Sequence, residues 1–292
     1  MSTKVTKAVI AAAGRGTRFL PVVKAYPKEL IAILDKPNLQ YLVEEIIAAG
    51  VKDIAIVQRP GNKSIENYFN PDQELIEYLT SINKIDYLNS LNSIHQQAKL
   101  TFIDQPSTLP YGNGSPVLAA ADFIGTDSFV YAFGDDLHVE KTPGTFLTAM
   151  INTFEQYNPA SVIAVAKVPP SEIVRYASMK YIDDPQYPHR ISGMFEKLPS
   201  TDAPSLFGQG GRFVLSSKYI ETLKNTAVAK GELWLTDASN SLAKTDIVLT
   251  QVLPTGIWMT TGDPLRWLKA NIAVALNDEN IATDLKDFLK NL

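Results

Sequence analysis

The sequence predicts an α/β protein whose core is a doubly wound, mostly parallel sheet with helices on both faces. Short apolar segments that suit strands buried on both faces recur through the first 168 residues. Between the first two of them, apolar residues recur at helical spacing, which is the pattern of a βαβ unit. After about Pro169, prolines and glycines become denser, and shorter segments indicate a smaller antiparallel extension.

The first half of the chain contains the predicted parallel strands. Residues 8–12 form the first strand, and a glycine-rich turn follows it. Apolar residues from Leu39 to Ile47 then recur at helical spacing, and Gly50 ends this helix at the C′ position. The remaining strands are predicted at 54–57, 100–103, 129–133 and 162–166. Strands that alternate with helices in this way are typical of a Rossmann-like sheet.

The second half adds the antiparallel extension and the C-terminal helices. Its predicted elements are strands at 194–197 and 212–215 and helices at 217–224, 236–243 and 264–276. Asp263 is expected to cap the last of these helices, with Pro264 at its first position. Residues 278–291 form an amphipathic helix that either packs against the chain or contacts a second copy. Because neither an internal repeat nor a low-complexity linker interrupts the sequence, residues 1–292 are expected to form one domain.

Composition excludes several classes of function. The sequence contains no cysteine, which excludes a disulfide scaffold, a thiolate metal site and a cysteine nucleophile. The three histidines are not at metal-ligand spacing. A net charge of -4 argues against a broad nucleic-acid surface, and no apolar run approaches the roughly 20 residues needed to span a bilayer. Since the apolar stretch 8–13 is also too short for a signal-peptide core, we expect a cytoplasmic protein without nucleic-acid or membrane partners.

The segment from Gly14 to Lys28 carries the strongest functional signal. It contains four cations and no acidic residue, and it begins at a Gly-x-Gly turn directly after the first strand. Backbone amides in such a turn form an anion site, so the segment is expected to bind phosphates. It is neither a P-loop nor a dinucleotide fingerprint, because Phe19 stands where the third glycine of the latter would be. The alternatives are a structural turn and a solvated basic face.

Three segments together resemble the signature of the sugar-1-phosphate nucleotidyltransferases, and most closely that of the bacterial uridylyltransferases among them. The segments are 14–21, 24–30 and 35–41, and weaker matches continue in order to about Lys269. The resemblance implies that the phosphate of glucose 1-phosphate attacks the α-phosphate of UTP in line, giving UDP-glucose and pyrophosphate, with Mg²⁺ as the cofactor. It divides the domain into a nucleotide-binding half (1–168), a sugar-phosphate-binding half (169–262) and C-terminal helices (263–292). Relatives of this kind are commonly homodimers or homotetramers.

The same resemblance implies roles for individual residues around the nucleotide. Arg18 and Lys28 face the triphosphate as the catalytic cations, and Asp135, at the end of a buried strand, binds both the nucleotide and the metal ion. Gln105 pairs with the uracil edge, and an amide that pairs in two ways would discriminate between bases. A glutamine that only caps backbone groups at a strand end is the alternative. The remaining nucleotide-binding residues are Ala13, Gly14, Arg15, Gly16, Thr17 and Gly112.

On the sugar side, the resemblance assigns sugar hydroxyls to Glu196 and the sugar phosphate to Lys197. Tyr176 and Ala177 stand where relatives often have Tyr-Gly, and an alanine there requires a backbone without positive φ. Thr260 is a departure, because relatives have an aspartate there as a second metal ligand, and a hydroxyl is a poorer ligand for Mg²⁺. The chain is therefore either a working enzyme that relies on Asp135 and phosphate oxygens, or an impaired regulatory homologue. Another nucleotide, dTTP or CTP, or another hexose 1-phosphate is a further alternative.

Overall fold

The computed structural model describes residues 4–256 and 258–291. Thirteen strands and twelve α-helices lie within these ranges. The strands are β1 (Lys7–Ala12), β2 (Ala32–Ile33), β3 (Lys36–Pro37), β4 (Asp53–Gln58), β5 (Lys99–Asp104), β6 (Phe129–Phe133), β7 (Asp136–His138), β8 (Ser161–Lys167), β9 (Ala177–Tyr181), β10 (Ile191–Glu196), β11 (Phe207–Leu215), β12 (Val248–Val252) and β13 (Trp258–Thr260). The helices are α1 (Asn38–Ala48), α2 (Ser64–Phe69), α3 (Gln73–Ser81), α4 (Ile85–Gln97), α5 (Ser115–Ala119), α6 (Ala121–Ile124), α7 (Thr145–Tyr157), α8 (Pro170–Ile173), α9 (Lys218–Lys224), α10 (Leu235–Leu242), α11 (Pro264–Asn277) and α12 (Ala282–Lys290).

Nine of the strands form one sheet, which confirms the predicted α/β fold with its antiparallel extension. Strands β5, β4, β1 and β6 lie side by side, and all of their pairings are parallel. Strand β11 then pairs antiparallel with β6 on one side and with β8 on the other, and β12 pairs parallel with β8. The β9–β10 hairpin joins the start of β11 and forms the antiparallel extension.

Helices cover both faces of the sheet because successive residues of its central strands point to opposite sides. In β1, Ile10 belongs to one buried cluster and Val9 to the other, and both side chains are completely buried. The Ile10 cluster includes residues of α1 and α7, whereas the Val9 cluster includes residues of α9 and α10. A strand enclosed on both sides needs an unbroken apolar run, which is what the sequence shows at 8–12.

Two of the predicted helix ends, at Gly50 and at Asp263, agree with the structure, whereas the last helix begins at Ala282 and not at residue 278. Gly50 has φ +88° and follows the last turn of α1, a conformation that glycine adopts without steric cost. Asp263 caps α11, because its Oδ1 accepts a hydrogen bond from the backbone N–H of Arg266 at 3.1 Å. No helix within the described ranges has both the length and the apolar character that crossing a membrane requires.

Candidate active site

Three adjoining cavities lie at the carboxyl-end edge of the parallel strands, where ligands bind in sheets of this kind. The first cavity, of about 240 Å³, is lined by Ala13, Gly14, Lys28, Gln105 and Gly112 among others. The second, of about 420 Å³, contains Arg18, Tyr176, Lys197 and Thr260 in its wall. The third, of about 190 Å³, is lined by Tyr176, Ala177, Glu196 and Lys197. Asp135 borders the first two cavities and so marks their junction.

A close approach of two strands places Asp135 at this junction. The amide of Gly134, directly after β6, donates to Ala11 O at 3.0 Å, and Asn38 Nδ2 donates to Gly134 O at 2.7 Å. A Cβ on Gly134 would lie 2.9 Å from Ala11 O, so only glycine lets the two backbones meet here. The next residue, Asp135, therefore leaves the sheet beside the glycine-rich turn that follows β1.

Lys28 and Asp135 form an ion pair across the junction. Lys28 begins a 3₁₀ turn (Lys28–Leu30), and its Nζ lies 2.5 Å from Asp135 Oδ2. Burial opposes the charge on both groups and is the largest single influence, but the opposite charge of the partner and the hydrogen bond between them, together with weaker neighbouring interactions, outweigh it. The pKa of Asp135 is therefore lowered and that of Lys28 is raised. Both side chains are charged at neutral pH, and a cation is held at the junction.

The turn after β1 packs against this lysine. Gly16 adopts φ +61°, and a Cβ there would lie 3.2 Å from Lys28 Cβ and from Val23 Cγ1. Glycine is therefore needed for its backbone conformation and for the close packing. A Cβ on Gly14 would make ordinary contact with Lys28, at 3.6 Å from its Cε, so that position is less restricted. The Gly-x-Gly spacing thus seats Lys28 beneath the turn.

A second glycine-dependent contact shapes the first cavity. Gly112 adopts φ +125°, and a Cβ on it would lie 2.3 Å from Leu233 O. The loop that contains Gly112 is joined to the segment before α10 by a hydrogen bond from Gly114 N to Leu233 O and one from Leu233 N to Tyr111 O. These bonds bring Trp234 to the wall of the cavity, which Tyr111 and Gln105 also line.

The second cavity is rich in cations. Arg18, Arg175, Lys197 and Arg266 line it. Arg18 donates to Gly262 O at 3.2 Å, and neither Arg18 nor Lys197 forms an ion pair within the described part of the chain. Lys197 Nζ lies 5.1 Å from the centre of the Trp234 ring. Cations without carboxylate partners favour binding of anions, and phosphate groups suit both arginine and lysine.

Asp136 is held differently from Asp135. Its Oδ2 accepts a hydrogen bond from Trp258 Nε1 at 2.8 Å, and burial together with the charge of Asp135 raises its pKa to about 6. Thr260 lies opposite Asp136 in the β7–β13 pairing, and both line the second and third cavities. Asp263 serves as the cap of α11, as predicted. No cluster of three or more His, Cys, Asp or Glu side chains that could hold a metal ion lies in 4–256 or 258–291.

The third cavity is lined by the residues that the sequence resemblance assigns to the sugar phosphate. Lys197 N donates to Tyr176 O at 3.1 Å, so the two segments that carry them are joined directly. Glu196 Oε1 accepts a hydrogen bond from Thr236 Oγ1 at 2.5 Å, which orients its carboxylate. Ala177 is the first residue of the extended strand β9. Its backbone does not have a positive φ, so an alanine fits there without strain.

Most residues of the basic segment Gly14–Lys28, Gly16 among them, lie outside these cavities. Arg15, Thr17 and Lys24 are exposed and line none of the three. Thr17 begins the 3₁₀ turn Thr17–Phe19, and Lys24 ends the next one, Val22–Lys24. Of the four cations, only Arg18, on the first of these turns, and Lys28, at the start of a third turn, line the cavities. The number of cations in the segment is therefore larger than the number that line the cavities.

A buried charge network lies behind the junction. Arg212 is completely buried and donates to both carboxylate oxygens of Glu45, at 3.0 and 2.7 Å. Its Nη2 also donates to the backbone oxygen of Asp136 at 3.1 Å. His138 Nδ1 lies 3.1 Å from Glu45 Oε1. Burial opposes the charge of Glu45, but Arg212 and His138 more than offset it and lower its pKa. The network connects α1 and β11 to the strand that begins at Asp136.

Comparison with known proteins identifies the family of the chain. The sequence profile of the nucleotidyl transferase family matches residues 7–276. The chain belongs to this family of nucleotidyltransferases.

Individual relatives and a solved structure are similar to the chain over almost its whole length. The chain is 36% identical over 297 residues to a UTP–glucose-1-phosphate uridylyltransferase of Streptococcus pneumoniae, covering 100% of this chain and 97% of the relative. It is 33% identical to the UTP–glucose-1-phosphate uridylyltransferase YngB of Bacillus subtilis, covering 100% and 97% respectively. Among solved structures, a UTP-bound UGPase from Acinetobacter baumannii superposes with a TM-score of 0.88 at 32% identity and covers 99% of each chain.

Proposed function

We propose that the chain transfers a uridylyl group from UTP to glucose 1-phosphate, releasing pyrophosphate and forming UDP-glucose. The observation that carries the proposal is the Lys28–Asp135 pair, which lies where a cavity lined by Gln105 meets a cavity lined by Arg18 and Lys197. Neither of these two cations forms an ion pair among the described residues. One cavity suits a base and ribose, and the other suits two phosphate-bearing groups. The names of the relatives, which cover nearly the whole chain, support the same reaction.

In the proposed reaction, an oxygen of the sugar phosphate attacks the α-phosphorus of UTP. The new phosphorus–oxygen bond forms as the bond to the β-phosphate breaks, and the electron pair leaves with pyrophosphate. No protein nucleophile is required, so the protein contributes position and charge. Lys28 and Arg18 stabilise negative charge on the triphosphate, and Lys197 holds the sugar phosphate. Glu196, oriented by Thr236, binds sugar hydroxyls.

We propose Mg²⁺ as the cofactor, with Asp135 as its protein ligand. Mg²⁺ is commonly held by one or two carboxylates together with substrate phosphates and water, so one carboxylate at the junction fits this mode. The side chain of Thr260, in the wall of the second cavity, offers a neutral oxygen. When bound, the ion neutralises charge on the phosphate oxygens of the nucleotide.

The proposed reaction is tested by measuring pyrophosphate release from the purified protein with Mg²⁺. We expect release with UTP and glucose 1-phosphate, and none when either substrate is omitted. Parallel reactions contain dTTP or CTP in place of UTP, or another hexose 1-phosphate. Release with dTTP or CTP but not with UTP contradicts the uridylyl assignment. An absence of release with every pair contradicts the enzyme assignment and favours a regulatory homologue that retains the fold.

Gln105→Ala is expected to reduce the preference for UTP. The side chain lines the first cavity, and losing an amide that pairs with the base lowers kcat/KM for UTP by about 10- to 100-fold. Competition between UTP, dTTP and CTP measures the change. Gln186→Ala, at an exposed loop position, is the matched control and leaves the preference unchanged. If Gln105→Ala lowers activity with all three nucleotides equally, the residue supports the loop and does not pair with the base.

Thr260→Asp tests the neutral position opposite Asp136. A carboxylate added to the wall of the second cavity is expected to tighten binding of a divalent ion several-fold in the presence of UTP. Electron paramagnetic resonance of bound Mn²⁺ measures this affinity independently of turnover. Thr201→Asp, at an exposed position, is the control for added negative charge. An unchanged Mn²⁺ affinity in Thr260→Asp shows that the position does not face the ion.

Assembly as a homodimer or homotetramer stays a prediction. Helix α12 has no buried residue, and Phe288 on it and Leu265 on α11 are each 61% exposed. An apolar helical surface of this kind is compatible with contact to a second copy. The division into a nucleotide-binding half and a sugar-phosphate-binding half is likewise a proposal, supported by the residues that line the first and third cavities.

A further inference from the structure

Arg175 has no assigned role in the proposed function, although it borders two of the three cavities. It lies directly before Tyr176, lines the second and third cavities, and has a side chain 46% exposed. Within the described residues, its guanidinium donates only to Asp263 Oδ2, at 3.3 Å. A guanidinium has five N–H donors, so most of them are available to an anion in the cavities.

A chain of ion pairs holds Arg175 in this position. Asp263 Oδ2 also accepts from Arg266 Nη1 at 3.0 Å, and Arg266 Nη2 donates to Glu172 Oε2 at 2.6 Å. Because Asp263 caps α11, this series of ion pairs joins the segment before β9 to the start of that helix. Arg266 pairs with two carboxylates, whereas Arg175, at the end of this series of ion pairs, pairs with one. The arrangement orders the Arg175 side chain and leaves its donors accessible.

Arg175 and Lys197 reach the same space from neighbouring backbone segments. Lys197 N donates to Tyr176 O, and both cations line the second and third cavities. The phosphate of a sugar 1-phosphate carries up to two negative charges and three terminal oxygens. Lysine supplies a point charge, and arginine supplies a planar fork that binds two oxygens at once. The two side chains are therefore complementary ligands for one phosphate group.

We infer that Arg175 binds the phosphate of the sugar 1-phosphate together with Lys197, and that Asp263, Arg266 and Glu172 are positioning residues. This inference rests on the proposed function and adds a residue that selects a phosphorylated sugar over a free sugar. Two ligands on one phosphate also restrict its rotation, which orients the attacking oxygen towards the α-phosphorus. Arg175 contributes nothing to binding of the nucleotide in this arrangement.

Calorimetric titration of glucose 1-phosphate into the full-length protein tests the assignment without turnover. The protein is first saturated with Mg²⁺ and a UTP analogue that has a methylene bridge between its α- and β-phosphates. Arg175→Ala is expected to weaken glucose 1-phosphate binding at least about 10-fold and to leave the affinity for the analogue within about twofold. Arg175→Lys recovers part of the loss. Arg190→Ala, which removes an arginine paired with Asp184 outside the cavities, is the matched control.

Steady-state kinetics supplies the second measurement. The KM for glucose 1-phosphate rises in Arg175→Ala by the same factor as the dissociation constant, and the KM for UTP stays constant. Arg266→Gln gives a smaller rise in the KM for glucose 1-phosphate, and Arg266→Lys restores the wild-type value, because Arg266 positions Arg175 through Asp263. Weakened binding of the UTP analogue, or no change in glucose 1-phosphate binding, overturns the inference. If the wild-type protein binds glucose 1-phosphate but releases no pyrophosphate, the proposed function fails while the titration still decides the role of Arg175.

Discussion

Lys28→Ala is expected to lower kcat/KM for pyrophosphate release by about 10³-fold, because it removes the cation at the junction of the two substrate cavities. Charge that develops on the triphosphate then has no partner at this point. Asp135 also loses its ion pair, which leaves more negative charge beside the phosphates. The expected loss therefore exceeds that for removing a single exposed cation.

The variant must fold for this result to be informative. Lys28→Met retains most of the packing beneath Gly16 and serves as the second variant, with circular dichroism and thermal unfolding as the check. Lys24→Ala is the matched control, because Lys24 belongs to the same basic segment but is exposed and lines none of the three cavities. We expect Lys24→Ala to retain nearly full activity. Full activity in folded Lys28→Ala refutes the placement of Lys28 at the phosphates.

The fold could be predicted from the sequence where burial alone determines local structure. The apolar runs at 8–12 and 129–133 became β1 and β6, because a strand between two helical layers tolerates apolar side chains on both faces. The short pairs β2–β3 and β7–β13 had no such signal, since they are two or three residues long. The sequence analysis also did not predict helix α3, none of whose residues is buried.

The residues of the candidate site were predictable where a local sequence pattern marks them, and not where they depend on contacts between distant segments. Gly134 and Asp135 follow a recognisable strand, so their position at its carboxyl end could be read locally. Arg175 depends on a contact with Asp263, 88 residues further along the chain, and no local pattern marks such a pair. Trp234 reaches the first cavity only because the loop around Gly112 pairs with its segment. Conversely, the charge count could not tell Lys24 from Lys28, because the direction of each side chain depends on the 3₁₀ turns.

Arg212→Leu is expected to destabilise the protein by about 3–5 kcal/mol, because it leaves the buried carboxylate of Glu45 without its main partner. Thermal unfolding should show a Tm lower by roughly 10 °C. The double variant Arg212→Leu/Glu45→Leu removes both charges and should recover most of the loss. Lys218→Ala breaks the exposed pair with Asp246 and is the control, with little change expected.

The pH dependence of this loss distinguishes an unpaired charge from a packing defect. In the wild-type protein the pKa of Glu45 is lowered, so the network stabilises the fold fully above the unfolded pKa of about 4.5 and less as pH falls below it. In Arg212→Leu the main cause of the lowering is gone, and burial raises the pKa of Glu45 instead. Protonation then relieves the penalty, so the difference in Tm from wild type should shrink between pH 7.5 and pH 5. A difference that stays constant over this range, or a double variant no more stable than Arg212→Leu, would show that lost packing, and not the charge of Glu45, is the cause.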